Sequence, residues 1–328
     1  MIFLSFLFTT VFCWWGHSHM IIAEIATRLL ETKEIQKIEY LINSPTLPSQ
    51  STIVNCASWQ DDLKSSGFSG MGNWHFTDIP FLLNVTNPSK ITIQPDTYTV
   101  VDYLESAYET LSLKTTTDLW SLGFHLRSII HFVGDIHTPH HCVQMYSDAI
   151  PTGDIGGNRY YLNCEYGSAC NNIHFFWDSA ALTFPLSDPL SSINYETFTN
   201  NATLLMDKFP QDYYHDYDLK TFQPSLWANE SNHYAQIYGY STPMNKRPSD
   251  DYFETAQFRA QERIALAGYR LGYLLKDLIN RLEFDYNDAS KLPVSEIVVW
   301  VFNALLFVGI VIVFVINLVM KKKYLITN

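Results

Sequence analysis

Apolar residues recur at helical spacing along most of the chain. Ile22, Ile25 and Leu29 lie three and four apart between Ser18 and about Leu30, with Glu24 and Arg28 elsewhere on the surface, which predicts an amphipathic helix. A second short helix is expected near Lys33–Ile42, and Ser51 is placed to cap a third running through Lys64. Val101, Leu104, Tyr108 and Leu111 mark a fourth. The next starts at Asp118 or at the threonines before it and carries an apolar run through Ile136, and His174–Asp178 opens another. Residues 183–250 read as loop, apart from a helix around Ser225–Tyr238. Ala260, Ile264, Ala267, Leu271, Leu274 and Leu278 then form a long stripe that belongs to a core and carries no chemistry. Gly67–Gly72 and Gly153–Asn158 are loops, and Arg159–Leu162 is a brief strand or hairpin. The expected fold is mainly α: a single helical domain with small hairpin and loop elements.

Two apolar stretches fall outside this periodicity. Residues 1–13 form a short apolar run in which Val11 and Cys13 are spaced like the positions before a signal cleavage site. Ile297–Met320 is 24 residues without a charge, about 36 Å as a helix against a hydrocarbon core of about 30 Å. A membrane span is expected there. Lys321, Lys322 and Lys323 follow it directly, which places the tail 321–328 in the cytosol and the preceding chain outside the cell or in a lumen, the topology of a type I membrane protein. The expected organisation is a signal peptide over 1–13, a domain over 14–283, a polar linker over 284–296, the span and the tail.

Cysteine usage suits an oxidising compartment. Removal of Cys13 with the signal leaves four cysteines. Cys164 and Cys170 enclose a five-residue loop and are the expected pair; Cys56 and Cys142 are left to pair with each other, unless Cys142 serves as a small buried residue. Asn84, Asn201 and Asn229 each open a glycosylation triplet, consistent with surface loops facing a lumen. Formal charge is −12, and more negative still with the three tail lysines set aside. A polyanion is repelled at long range by such a chain, which excludes a basic nucleic-acid groove. A phosphate substrate has to be held locally, by cations.

Chemistry is concentrated in Ser128–His141. His131 and Asp135 are four apart, so on a helix they share a face. Ile129, Ile130, Phe132, Val133 and Ile136 surround them, and burial among such residues is costly unless hydrogen bonds or a metal satisfy both groups. Pro139 disfavours helix at Thr138 and redirects the chain toward His141. The spacing recurs in His174 and Asp178, and a repeated His-x-x-x-Asp suggests a multinuclear site. Further candidates are His19 at the start of the first helix, Asp61 or Asp62 on the third, and His75 between Trp74 and Phe76. A set of histidine and aspartate without cysteine suits catalytic zinc rather than a closed structural site.

In order and local context these motifs resemble the zinc-dependent phospholipase C and single-strand nuclease family, which includes fungal nucleases, plant bifunctional nucleases and membrane-bound 3′-nucleotidase/nucleases of trypanosomatids. The resemblance runs over most of residues 14–280. It rests on the tryptophan-led start through His19; on Ala57, Ser58, Trp59 and Asp61; on Trp74, His75, Phe76 and Asp78; on His131, Phe132, Gly134, Asp135, Pro139 and His141; on Gly156, Gly157 and Asn158; and on His174 and Asp178.

The resemblance implies three zinc ions. Asp61, His75, His131 and Asp135 would hold one, and His141, His174 and Asp178 another. The third falls to His19, a bridging Asp135 and the amine and carbonyl of the mature N-terminal residue. The family's register selects Trp14 and cleavage after Cys13. Asp61 would also orient or deprotonate the attacking water. Lys64 stands where fungal relatives carry an arginine that stabilises the transition state, and offers a point charge in place of a bidentate fork; it can equally be a solvated charge of its helix. Phe76 and Asp78 match positions that stack on and hydrogen-bond a base, although Phe76 can equally serve to seal the metal site; Gly156, Gly157 and Asn158 allow close backbone approach to substrate, or simply a glycine-requiring turn. The implied activity is hydrolysis of single-stranded DNA and RNA and of 3′-nucleotides. The alternative within the family is a phospholipase C acting on membrane lipid. His137 and His140 receive no role, and His17, His125, His215 and His233 are read as ordinary histidines.

Overall fold

The computed structural model describes residues 16–43, 50–113, 118–165, 167–184 and 195–282. The chain divides after Glu283, and everything described lies before that point. Trp14, the expected signal and the expected span at 297–320 fall outside the described residues; among those described, no helix is long and apolar enough to cross a membrane.

The domain is mainly helical. Its helices are α1 (Gly16–Thr27), α2 (Thr32–Ile42), α3 (Trp59–Ser65), α4 (Val100–Ser112), α5 (Leu119–Ile136), α6 (Ile173–Asp178), α7 (Tyr195–Lys208), α8 (Pro224–Ile237) and α9 (Asp250–Arg281). Local chemistry accounts for many of their boundaries. Asp118 caps α5 by accepting from Trp120 N at 3.1 Å, which settles where that helix begins. Thr99 and Asp102 form a capping box on α4. Ser249 caps α9 by accepting from Tyr252 N, with Asp250 and Asp251 in its first turn and Arg281 in its last, each sign complementing the helix dipole.

Helix α5 is the centre of the domain, packing on α1, α2, α3, α4, α8 and α9. Ile129, Ile130, Phe132, Val133 and Ile136 are fully buried on it, each contributing roughly 1.5–3 kcal/mol of apolar burial. That burial offsets the cost of enclosing His131 and Asp135 in the same turns. The helix ends at Ile136, as Pro139 requires. A 3-10 turn over Pro139–His141 follows.

Several expectations are corrected. The helix placed over Ser51–Lys64 is shorter, because residues 52–58 are turns and α3 begins at Trp59. The stretch read as loop between 183 and 250 holds α7, where Phe198, Ala202 and Leu205 form a narrow buried stripe in an otherwise polar segment. Two short strands, β1 (Pro80–Leu82) and β2 (Gln144–Tyr146), pair in parallel with Pro80 opposite Gln144. Three residues each is too short for alternation to reveal them. Tyr161 forms an isolated antiparallel bridge to Asn172 where a strand or hairpin was expected.

Cys164 and Cys170 are joined, with Cα atoms 5.6 Å apart. Cys56 and Cys142 are not: both are free and buried. Each thiol turns onto a carbonyl of its own segment, Cys56 onto Ile53 and Cys142 onto Ile136, both at 3.4 Å. Burial pushes the Cys56 thiol up to about 12, so it behaves as a small apolar residue. Asn84 lies in an exposed loop, whereas Asn201 and Asn229 stand on α7 and α8 rather than on loops.

Candidate metal centre

Three segments converge on the C-terminal half of α5. His131 and Asp135 project from one face of that helix, His19 comes from α1, Asp61 from α3, and His75 from the 3-10 turn before β1. Ligand atoms of His19, His131 and Asp135 lie within 4.8 Å of one another, as do those of Asp61, His75 and His131, and those of His141, His174 and Asp178. All eight side chains are buried. Asp62 is not among them. It turns away to accept from Gln50 Nε2 at 2.8 Å, which leaves Asp61 as the aspartate facing the cluster.

Distances within the cluster match a shared cation better than a hydrogen-bonded core. Ligand atoms about 2.0–2.1 Å from a tetrahedral centre stand about 3.3 Å apart. His131 Nε2 is 3.1 Å from Asp135 Oδ2 and 3.3 Å from His75 Nδ1, while Asp61 Oδ1 is 3.7 Å from His75 Nδ1 and 3.9 Å from His131 Nε2. Asp135 faces two ways. Its Oδ2 meets His75 and His131, and its Oδ1 lies 3.2 Å from His19 Nε2 and 3.8 Å from His141 Nδ1. In the third group, Asp178 presents one oxygen to His141 Nε2 and the other to His174 Nε2, each at 3.2 Å.

His75 Nδ1 makes a hydrogen bond with Asp135 Oδ2 at 2.9 Å and meets His131 Nε2 at 3.3 Å, while many other close atoms are out of line for one. Both ring nitrogens of His19, Asp135 Oδ1, Nε2 of His141 and of His174, and both oxygens of Asp178 are buried without a hydrogen-bond partner. Buried polar atoms left without a partner cost roughly 1–3 kcal/mol each. The opposite nitrogens of three rings are engaged: His131 Nδ1 bonds Ala57 O at 2.7 Å, His141 Nδ1 bonds His75 O at 2.9 Å, and His174 Nδ1 bonds Gly156 O at 2.8 Å. A carbonyl accepts only from N–H, so Nδ1 carries the proton and Nε2 offers its lone pair inward. The residues fit metal ions in ligand type, spacing and tautomer.

In the absence of a cation the carboxylates and imidazoles of the cluster shift one another's proton affinity. Burial opposes charge on Asp135, but the adjacent ring of His131, with those of His19 and His75, holds its carboxyl well below the usual carboxylate range. Asp61 is likewise held down, against burial, by His131, Lys64 and His75. Burial pushes His75 down to about 4. On His141 burial is outweighed by Asp178, which pushes it up to about 9.

Residues 14–280 match the S1/P1 Nuclease family over most of the chain. The chain belongs to the S1/P1 nuclease family. Endonuclease 4 of Arabidopsis thaliana is 23% identical over 290 residues, covering 82% of this chain and 90% of that protein. Endonuclease 1 of Arabidopsis thaliana is 27% identical over 158 residues, 44% of this chain and 46% of that protein. Membership in the S1/P1 family supports a phosphodiester-cleaving hydrolase, and the family is zinc-dependent in general.

Around the S1/P1 metal basin, Lys64 Nζ lies 3.4 Å from Asp61 Oδ1, and these two side chains, 19% and 10% exposed, are the most open part of the site. Phe76 and Asp78 are half-buried beside it. Burial, with Asp96 and Asp154 close by, pushes the Asp78 carboxyl up to about 7. Gly156 and Gly157 adopt positive φ of 59° and 94°; a Cβ on Gly156 would stand 2.6 Å from His140 O, so only glycine brings this loop onto His174. Asn158 holds the turn by donating to Ile155 O. Gly134 is required for a similar reason: a Cβ there would meet His19 Nδ1 at 2.6 Å.

The structure also places residues that no spacing singled out. His140 is buried and donates from Nδ1 toward Gly156 O, and His137 bonds Val133 O and Arg270 behind the cluster. Gln144 bridges Asp78 and the glycine loop. His125 bonds Tyr103, while His215 and His233 lie on the surface. His17 packs on Phe198, away from the cluster.

Proposed function

We propose that the chain is a zinc-dependent phosphoesterase that cleaves single-stranded DNA and RNA and removes the 3′-phosphate of nucleotides. The observation that carries this reading is the convergence of three buried histidine–aspartate groups, in which both ring nitrogens of His19, Nε2 of His141 and of His174, and both oxygens of Asp178 have no hydrogen-bond partner. In it, Asp61, His75, His131 and Asp135 hold one ion, His19, Asp135 and the Trp14 terminus a second, and His141, His174 and Asp178 a third. Ions so held supply Lewis acidity toward a phosphoryl group and acidify water.

The chain's own groups do the rest. Asp61, at the open edge, accepts the proton of the attacking water on its carboxylate. Lys64 lies beside it and brings positive charge to the phosphate oxygens as negative charge develops there. Phe76 stacks on an unpaired base, which accounts for single-strand preference because a paired base offers no free face. Asp78 takes hydrogen bonds from the base edge. The loop of Gly156, Gly157 and Asn158 lets backbone approach the sugar and phosphate closely.

The site works outside the cytosol in this reading, on a type I protein with a cleaved signal at 1–13 and a span at Ile297–Met320. The Lys321–Lys323 run and the Cys164–Cys170 disulfide support that placement. The test is a parallel assay of the purified full-length chain on single-stranded DNA, single-stranded RNA, 3′-nucleotides and phosphatidylcholine, before and after chelation and zinc return. Zinc-restored cleavage of the first three is expected. Zinc-restored cleavage of phosphatidylcholine alone would replace the nuclease with a lipid phosphodiesterase.

A further inference from the structure

The β1–β2 pair brings two stretches into a fixed register beside the metal centre. Thr77 N donates to His141 O at 2.8 Å and Gln144 N donates to Ile79 O at 2.9 Å. Gln144 therefore stands next to Asp78, and its amide orientation is determined by what surrounds it. Its Oε1 accepts from two backbone donors of the glycine loop, Ile155 N at 2.5 Å and Gly156 N at 3.3 Å. With the oxygen fixed on that side, the NH2 group must face the other way, where Nε2 donates to Asp78 Oδ2 at 3.1 Å. Gly153, at φ 89°, wraps the loop over the amide so closely that a Cβ would lie 2.7 Å from Gln144 Cδ.

From this bridge we infer that Gln144 is a positioning residue for base recognition, aiming the Asp78 carboxyl and pinning the Gly153–Asn158 loop against it. The inference rests on the reading of Asp78 as the base-recognising group. Asp78 is held from the backbone side as well, since its N–H donates to Asp96 Oδ2 at 2.5 Å. The Gln144 hydrogen bond fixes one carboxyl oxygen and leaves the other for a base edge. Besides Gln144 on the base side, the loop is anchored at Gly156 O by His174 Nδ1 at 2.8 Å and His140 Nδ1 at 3.2 Å, and at Asp154 by Met145 and Tyr240. Loss of the Gln144 anchor thus loosens the aim of Asp78 while leaving the anchors at Gly156 and Asp154 in place.

A double-mutant cycle on the zinc-loaded full chain tests this. Gln144→Met keeps length and packing without the amide, and Gln144→Leu serves as a second variant should the first fail to fold, with melting temperature as the check. Steady-state kinetics on the four 3′-nucleotides are compared for the wild type, Gln144→Met, Asp78→Ala and the double variant. Loss of a hydrogen bond to a charged group is expected to raise KM about tenfold for the favoured base and narrow the preference among bases, with kcat within about twofold. The double variant should then be no worse than Asp78→Ala alone, because Gln144 acts through Asp78. Additive losses, a kcat fall equal for all four nucleotides, or unchanged KM and preference in the glutamine variants would overturn the inference while an altered Asp78→Ala preference leaves the base pocket standing. Unchanged preference in Asp78→Ala would remove the base-pocket reading and the inference with it.

Discussion

Two buried polar clusters meet at the end of α5, and they differ in how their hydrogen bonds close. Behind the helix, Arg270 gives Nη1 and Nη2 to Glu230 at 2.6 and 2.8 Å, Nη1 also to His137 Nε2 at 2.9 Å, and Nε to Asp218 O at 3.2 Å. Arg263 reaches His137 O, Glu230 and Ser231. His137 completes the set by donating from Nδ1 to Val133 O, and burial together with both arginines keeps its ring neutral. In front, one turn away, lie the unpartnered lone pairs of His19, Asp135, His141, His174 and Asp178. Composition alone would call both clusters polar core. The closed network ties α5 to α8 and α9, and the open one asks for cations.

Breaking the open cluster should give the largest effect. Asp135 serves two of its groups, and Asp135→Asn is expected to lower kcat/KM by about a thousandfold or more, since metal ions contribute several kcal/mol to transition-state charge. Steady-state assay beside zinc analysis checks this. The closed cluster should respond in stability instead. Glu230→Ala strands two buried guanidiniums and is expected to cost about 3–5 kcal/mol. Urea unfolding should show that loss while zinc per folded chain stays unchanged.

A third variant separates packing from ligation within α5. Gly134→Ala improves helix propensity by roughly 1 kcal/mol yet drives a methyl group into His19. Zinc affinity is expected to fall about 10–100-fold, read by competition with a fluorescent chelator, and the clash is expected to outweigh the propensity gain, costing the zinc-free protein about 1–2 kcal/mol.

The smallest effect concerns the carboxyl beside the open cluster. Asp78 is raised from an ordinary aspartate value to about 7 in the fold, so folding disfavours its ionised form. Its penalty is absent below the unfolded value and grows to full size as pH rises through about 7. Asp78→Asn should therefore stabilise the protein by about 2 kcal/mol at pH 8 and leave it unchanged near pH 4, as thermal melts at the two pH values would show.

Much of this difference was legible in the residues. His131 with Asp135 and His174 with Asp178 repeat a spacing that a helix turns into a shared face, so the open cluster announced itself. The choice between Asp61 and Asp62 was not, because it depends on Gln50 and Ser58 capturing Asp62 from elsewhere. Even cysteine count misled: Cys56 and Cys142 are apolar filling, a role that parity does not reveal. α7 was hidden because its stripe of Phe198, Ala202 and Leu205 is interrupted by threonines and asparagines. Gln144 was silent for a different reason, since its partners come from β1 and the glycine loop, which are brought together by a three-residue strand pair.

The central claim is that the open cluster is a three-zinc site. The most direct measurement is anomalous diffraction at the zinc edge from crystals of the protein, with zinc content determined on the same preparation. The account predicts about three zinc ions per chain and three peaks: one among Asp61, His75, His131 and Asp135, one beside His19 and Asp135, and one among His141, His174 and Asp178. Fewer than two ions, or peaks away from these side chains, would contradict it.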